Sequence, residues 1–246
     1  MAKKYEHIFG VHTVTSVIKN KPTQVKKIFF AENNKENRLK EITDLAKKYG
    51  ISIETVARRT LEKLAQSDMH QGVVAEYIHA EETLSLEDYL DTLGQSALLL
   101  ILDGVQDPHN LGACLRTAEA AGVHAVIIPE NNSVGITSVV RKVASGAAEV
   151  LPVYRVKNMA RALSQLKEKG IWLAGAAMEG KQTLFQSDLR GPLGLVLGAE
   201  GTGLRRLTRE ACDNLVQIPM LGTVASLNVS VATGIFLFEA VRQRME

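Results

Sequence analysis

The sequence predicts an α/β protein in two parts, a small α/β unit followed by a larger unit built on a parallel sheet. Three observations lead there. Short apolar runs alternate with helix-patterned segments along most of the 246 residues, the sign of an α/β layer architecture. The run Ala97-Leu98-Leu99-Leu100-Ile101-Leu102 is continuously apolar, as in a strand covered on both faces, which implies parallel pairing. Between the two patterns, residues 79–96 hold five acids (Glu81, Glu82, Glu87, Asp88, Asp91), no basic residue and no strand pattern. We therefore expect a domain at 1–78, a linker at 79–96 and a second domain at 97–246.

In the first domain, Lys27-Ile28-Phe29-Phe30 reads as a strand and residues 36–48 as a helix that Gly50 stops. Ile51-Ser52-Ile53 and Gly72-Val73-Val74-Ala75-Glu76-Tyr77-Ile78 read as further strands, giving roughly three strands and three helices. One short helix is expected inside the linker, at 85–90. In the second domain, apolar runs recur at Ala125-Val126-Ile127-Ile128, Ile171-Trp172-Leu173-Ala174, Leu193-Gly194-Leu195-Val196-Leu197 and Leu215-Val216-Gln217-Ile218. Helical segments lie between them, with Gly122 and Gly170 placed as C-terminal stops. Ligands in such sheets bind beyond the carboxyl ends of the strands.

Composition narrows the function classes. Hydrophobic residues make up 46% and charged residues 23%, which is globular usage and excludes disorder and fibrous classes. No apolar run approaches the length of a membrane span, and Met-Ala-Lys-Lys leads into mixed sequence without an apolar signal core, so a cytoplasmic protein is expected. Cys114 and Cys212, the two cysteines, lie far apart without a CxxC or a nearby His, so they read as buried thiols and no metal site is expected. The formal charge of +2 is unevenly divided: residues 1–78 carry 14 basic against 9 acidic residues. That excess fits either a solvated basic surface or a polyanion partner.

Three polar loops follow buried strands and carry the candidate chemistry. The first runs from Asp103 through Asp107-Pro108-His109-Asn110-Leu111-Gly112 to Arg116. Asn110 is placed as a helix N-cap, with Leu111, Leu115 and Ala118 forming an inward face. Arg116 is mismatched to the positive end of that helix. It either serves function or pairs with Asp103 or Asp107. The second loop, Gly198-Ala199-Glu200-Gly201-Thr202-Gly203, lacks the Lys-Ser/Thr of a phosphate-binding loop and the spacing of the dinucleotide fingerprint. Its glycines permit close backbone approach to a flat ligand or to another chain segment, with Glu200 as its single charge. The third, from Ile218-Pro219-Met220 to Ala225-Ser226-Leu227-Asn228-Val229-Ser230, leads into an apolar final helix, with Ser226 as its expected cap and Asn228 in its first turn. By itself such a segment is a buried capped helix more often than a site.

Together these segments resemble the signatures of the SpoU/TrmH family of knotted methyltransferases: Asn-Leu-Gly-x3-Arg-Thr at 110–117, Gly-Ala-Glu-Gly-x-Gly at 198–203 and Ile-Pro-Met…Ser-Leu-Asn-Val-Ser at 218–230. The likeness extends to Ile8-Phe9-Gly10-Val11-His12 and His70-Gln71-Gly72, so it covers nearly the whole chain. It points to the branch that methylates the ribose 2′-hydroxyl of a guanosine in large-subunit ribosomal RNA. The same chemistry on transfer RNA or another ribosomal nucleotide is the sister reading, and a non-catalytic RNA-binding protein on this fold is the rival from another class. That rival expects a broken cofactor loop.

The resemblance implies a SPOUT-type catalytic domain with a trefoil knot threaded from about residue 198, S-adenosylmethionine as cofactor, and a homodimer pairing through the final helix at Phe236, Phe238 and Val241. It implies a ribosomal-protein-like N-terminal domain that binds RNA, with Phe9, His12, His70 and Gln71 as its candidate contacts. Gly198, Ile218 and Leu227, with Gly175 and Ala176, would hold the cofactor. Arg116 would activate the hydroxyl or clamp the phosphate that accepts its proton, and Asn110, Glu200, Ser226 and Asn228 would orient the reactants. A guanidinium with pKa above ~12 is a donor rather than a base, so the clamp stands equally beside the activator role.

Overall fold

The computed structural model describes residues 5–32, 36–78, 84–93 and 97–245. Residues 79–83 and 94–96 of the expected linker lie outside them. The chain divides into two compact units, Met1–Thr83 with Ser145–Val150, and Leu84–Ala144 with Leu151–Glu246.

The first unit is a four-stranded sheet with helices. Its elements are β1 (Tyr5–Phe9), α1 (Val11–Asn20), β2 (Val25–Ala31), α2 (Glu36–Tyr49), β3 (Ser52–Val56), α3 (Arg58–Ala65) and β4 (Val73–Ile78). The strand order is β1-β4-β2-β3; β4 is antiparallel to β1 and β2, and β2 is parallel to β3. The expectation of three strands missed β1, in which only Ile8 is buried, so no alternation marks it. Helix α2 buries Leu39, Ile42 and Ala46 at helical spacing against the sheet. It stops where Gly50 turns to φ +66° and Ile51 N donates to Ala46 O at 2.9 Å.

The second unit opens with α4 (Leu86–Leu93), then β5 (Leu98–Asp103), α5 (Pro108–Ala120), β6 (Ala125–Pro129), α6 (Ser138–Ala144), α7 (Ala147–Val150, grouped with the first unit), β7 (Val153–Val156), α8 (Met159–Glu168) and β8 (Trp172–Ala176). The chain continues through β9 (Gln182–Thr183), β10 (Leu193–Gly198), α9 (Arg206–Ala211), β11 (Asn214–Gln217) and α10 (Val229–Met245). Helix α4 is the short helix expected within 79–96. Ser85 Oγ accepts from Asp88 N at 3.1 Å at its start, and Leu90 is buried in this unit's core, so 84–93 is a built part of the second unit rather than linker.

Seven strands form one sheet in the order β7-β6-β5-β10-β8-β11-β9, and every pairing is parallel. Every residue of β5 and β6 is buried, as the continuous apolar runs require. The strands not expected, β7 and β9, are the two edges. They are short and only partly covered, so neither needs an apolar run.

Two helix starts differ from expectation. Asp107, not Asn110, caps α5: its Oδ1 accepts from His109 N at 2.8 Å, with Pro108 in the first turn. Asn228, not Ser226, caps α10: its Oδ1 accepts from Ser230 N at 2.9 Å, and its carbonyl accepts from Ala232 N at 3.0 Å. The inward face of Leu111, Leu115 and Ala118 is fully buried.

Candidate active site

The polar loops meet at the carboxyl edge of the parallel sheet, where β5 and β10 end side by side with Gly198 in register with Asp103. From Gly198 the backbone folds back on itself. Gly203 N donates to Ala199 O at 2.9 Å, and a Cβ on Gly198 would lie 2.1 Å from the carbonyl carbon of Gly203. Only glycine fits there. Gly201 and Gly203 take φ of +76° and +65°, so the loop at 199–205 is a tight turn with Glu200 at its tip.

Glu200 joins the three polar segments. Its Oε1 accepts from Asn110 Nδ2 in a short contact and from Asn228 Nδ2 at 2.9 Å. Asn228 Nδ2 also donates to Asn110 Oδ1 at 3.0 Å. With Nδ2 spent on these bonds, Asn228 Oδ1 is left to accept from Ser230 N and from Ser230 Oγ at 2.6 Å. Freed from capping, Asn110 uses its side chain to tie the first turn of α5 to the loop and to the start of α10.

Beside this network a cleft of about 700 Å³ opens, bordered by Ala176, Gly198, Glu200, Ile218, Ser226 and Leu227 among others. Its size suits a drug-sized or nucleoside-like ligand. Apolar Ile218 and Leu227 offer flat walls, and carboxylates of Glu200 and Glu179 stand at the border. Gly175 does not reach the cleft. It is buried in β8, where an added Cβ would meet Cys212 Sγ at 2.8 Å.

Arg116 stands apart. It is exposed, no described residue pairs with it, and it follows Asn110 by six positions, roughly 9 Å along the helix axis. Its expected alternative partners are otherwise engaged: Asp107 caps α5, and Asp103 holds Arg205. The Asp103 side chain is 0% exposed and accepts from Arg205 Nε at 2.8 Å, from Arg205 Nη2, and from Arg205 N at 3.4 Å. Sequence reasoning did not find this pair. The signal available was a charged residue closing an otherwise wholly apolar strand.

The cysteines supply no nucleophile. Burial pushes the Cys114 thiol up to about 11 and the Cys212 thiol up to about 12, so both stay protonated. Cys212 is half-buried rather than fully buried as expected. Among the described residues no group of His, Cys, Asp and Glu is arranged to hold a metal, and no helix is long and apolar enough to cross a membrane.

In the first unit, Phe9, His12, His70 and Gln71 share one corner, where β1 passes into α1 beside the turn before β4. Gln71 Oε1 accepts from Val11 N at 3.0 Å, and Gly10 N donates to Val73 O at 3.2 Å. His12 and Gln71 are exposed and Phe9 is half-buried. His70 corrects the expectation of an RNA contact. It is 1% exposed, and its Nδ1 accepts from Gly72 N at 3.0 Å, so it shapes the turn instead of presenting itself.

Residues 97–238 match the SpoU rRNA Methylase family, and residues 7–83 match the description RNA 2′-O ribose methyltransferase substrate binding. The chain is 52% identical over 244 residues to the 23S rRNA (guanosine-2′-O-)-methyltransferase RlmB of Shewanella oneidensis, covering 98% of this chain and 99% of that one. A crystal structure of an RNA 2′-O ribose methyltransferase matches with a TM-score of 0.79 at 26% identity, covering 99% of this chain and 90% of that one. The fold is also that of the SpoU methyltransferase AviRb from Streptomyces viridochromogenes, with a TM-score of 0.77 at 24% identity over 98% of this chain and 91% of that one. Matched along both units by these relatives, the chain belongs to the SpoU rRNA methylase family.

Proposed function

We propose that the protein transfers a methyl group from S-adenosylmethionine to the ribose 2′-hydroxyl of a guanosine in 23S ribosomal RNA. The observation that carries this is 52% identity with RlmB over 98% of the chain, together with an intact loop at 198–203. The non-catalytic rival expects a broken cofactor loop, and Gly198, Gly201 and Gly203 keep this one folded.

The cleft residues fit the cofactor. Ile218 and Leu227 supply surfaces for a flat adenine, Gly198 and Ala176 allow close backbone approach, and the Glu200 carboxylate favours a nearby cation. Gly175, inside β8, leaves room for Cys212, Leu204 and Leu215 to pack against the strand. The bound cofactor supplies an already activated methyl. The chain's own task is then to align the 2′-oxygen and to let its proton leave. Asn110, Glu200 and Asn228 form a rigid rim for that alignment, since each carboxamide is oriented by hydrogen bonds to the other two groups. Ser226 stands beside them at the cleft. Arg116, exposed and without a partner among the described residues, clamps an RNA phosphate, and that phosphate takes the proton.

The unit around residues 1–78 serves as the RNA-binding part, through the corner of Phe9, His12 and Gln71. Several of its basic residues are already paired, Lys19 with Glu41 and Lys27 with Glu54 for example, so shape as well as charge must contribute. A homodimer through α10 is supported by a face different from the one expected. Phe236 is buried, whereas Val231, Phe238 and Met245, spaced by seven, are 50%, 49% and 82% exposed. The strand order supports the knotted threading, because the chain returns from the edge strand β9 to the interior at β10 and goes out again to β11. A ribosomal RNA substrate supports a cytoplasmic location.

The test is direct. Purified protein, S-adenosylmethionine carrying a labelled methyl group and unmodified 23S RNA should yield labelled 2′-O-methylguanosine after nuclease digestion. Label in a methylated base, or none in RNA despite cofactor binding, would overturn the proposal.

A further inference from the structure

The pair Asp103 and Arg205 has no place in the chemistry above, yet it joins the end of β5 to the far end of the turn that carries Glu200. That turn is held at three points. Gly198 pairs in register with Asp103, Gly203 bonds back to Ala199 at 2.9 Å, and Arg205 is gripped through both its side chain and its backbone N–H by the same Asp103 carboxylate. Between the first and last of these points lie two glycines in left-handed conformations and no buried apolar side chain except Leu204. Packing alone therefore fixes little of the loop.

A buried carboxylate is costly without a partner, and an apolar pair would hold the strand ends as well without any charge. What the ion pair adds is direction, since a guanidinium fork meets a carboxylate in a defined plane. We propose that Asp103 and Arg205 are a positioning pair that sets the 199–205 turn against the cleft, so that cofactor binding depends on them although neither borders the cleft. The kinetic consequence rests on the methyl-transfer reading; the binding consequence does not.

The experiment compares Asp103→Asn, Arg205→Gln, Arg205→Lys and the double variant Asp103→Asn/Arg205→Gln in the full-length protein. S-adenosylmethionine affinity is measured by calorimetry, with a melting curve for each protein. Asp103→Asn and Arg205→Gln should each weaken cofactor binding roughly tenfold or more, the scale of one lost charge-assisted interaction. The double variant should be no worse than the weaker single, because the two act as a unit. Arg205→Lys, which keeps charge but not the fork, should fall between wild type and Arg205→Gln. In turnover assays the cofactor KM should rise while the RNA KM stays put.

Folded single variants that melt lower yet bind the cofactor within twofold of wild type would overturn the proposal, as would additive losses in the double. Asp103→Asn keeps the side-chain volume and so serves if Arg205→Gln does not fold. Wild-type protein that binds cofactor but methylates no RNA would remove the methyl-transfer reading and leave the pair to be judged by binding alone.

Discussion

Replacing Gly198 with alanine would place a Cβ 2.1 Å from Gly203 C, 2.2 Å from Gly203 O and 2.3 Å from Leu204 N. Ordinary contact between such atoms is roughly 3.5 Å, so one backbone segment must retreat by more than about 1 Å. Gly198 is the last residue of an interior strand, whereas the turn at 201–203 is exposed. The turn will give way, carrying Glu200 out of reach of Asn110 and Asn228. A displacement of that size near reacting groups costs about 100-fold in rate, while the overpacking itself costs about 1–3 kcal/mol of stability. Gly201→Ala is the matched control. It has positive φ but nothing within 4 Å of the added Cβ, so it brings only backbone strain of about 1 kcal/mol. Calorimetry with S-adenosylmethionine and single-turnover methylation, beside melting curves, should show Gly198→Ala folded but defective in both and Gly201→Ala only mildly affected. Gly198→Ala with cofactor affinity within twofold of wild type would refute the reasoning.

Other outcomes follow from the same structure. Arg116→Ala should slow methyl transfer by ~100-fold or more while changing stability by no more than about 0.5 kcal/mol, because no described residue pairs with it; a wild-type single-turnover rate at saturating RNA would sink its role. Burial holds the His70 pKa below its ordinary 6.5, so the unfolded chain binds the proton more readily. Stability should be full above pH 6.5 and decline as pH falls from there towards the depressed native value. A buried His70→Gln variant should flatten that decline in melting temperatures between pH 7.5 and 5, and an unchanged slope would reject it. In sedimentation the protein should run at about twice its chain mass of 26.8 kDa, and Phe238→Glu should return it to the monomer; a wild-type monomer with full activity would remove the dimer from the account.

The interior of the catalytic unit was legible because burial on both faces demands apolar runs: β5, β6, β8 and β10 announce themselves. The edges β7 and β9 did not, since a strand covered on one side needs no such run. Helix starts were misread by a few residues because capping chemistry is degenerate. In Asp-Pro-His-Asn both Asp107 and Asn110 can cap, and the proline, which favours the first helical turn, was the discriminating sign. Asn110, Glu200 and Asn228 could be named only as members of family signatures. That they touch depends on two adjacent parallel strands and the entry to α10, which no local pattern encodes. The Asp103–Arg205 pair spans 102 positions and has no sequence spacing to betray it, while the burial of His70 depends on how its turn packs in the first unit.

The most direct test of the central claim is to map 2′-O-methylation at every nucleotide of 23S ribosomal RNA from cells with and without the protein. The account predicts that one guanosine loses its 2′-O-methyl group when the protein is absent and regains it on expression of the wild type, but not of Gly198→Ala. An unchanged ribosomal RNA map, or loss of a base methyl group in place of a ribose one, would contradict it.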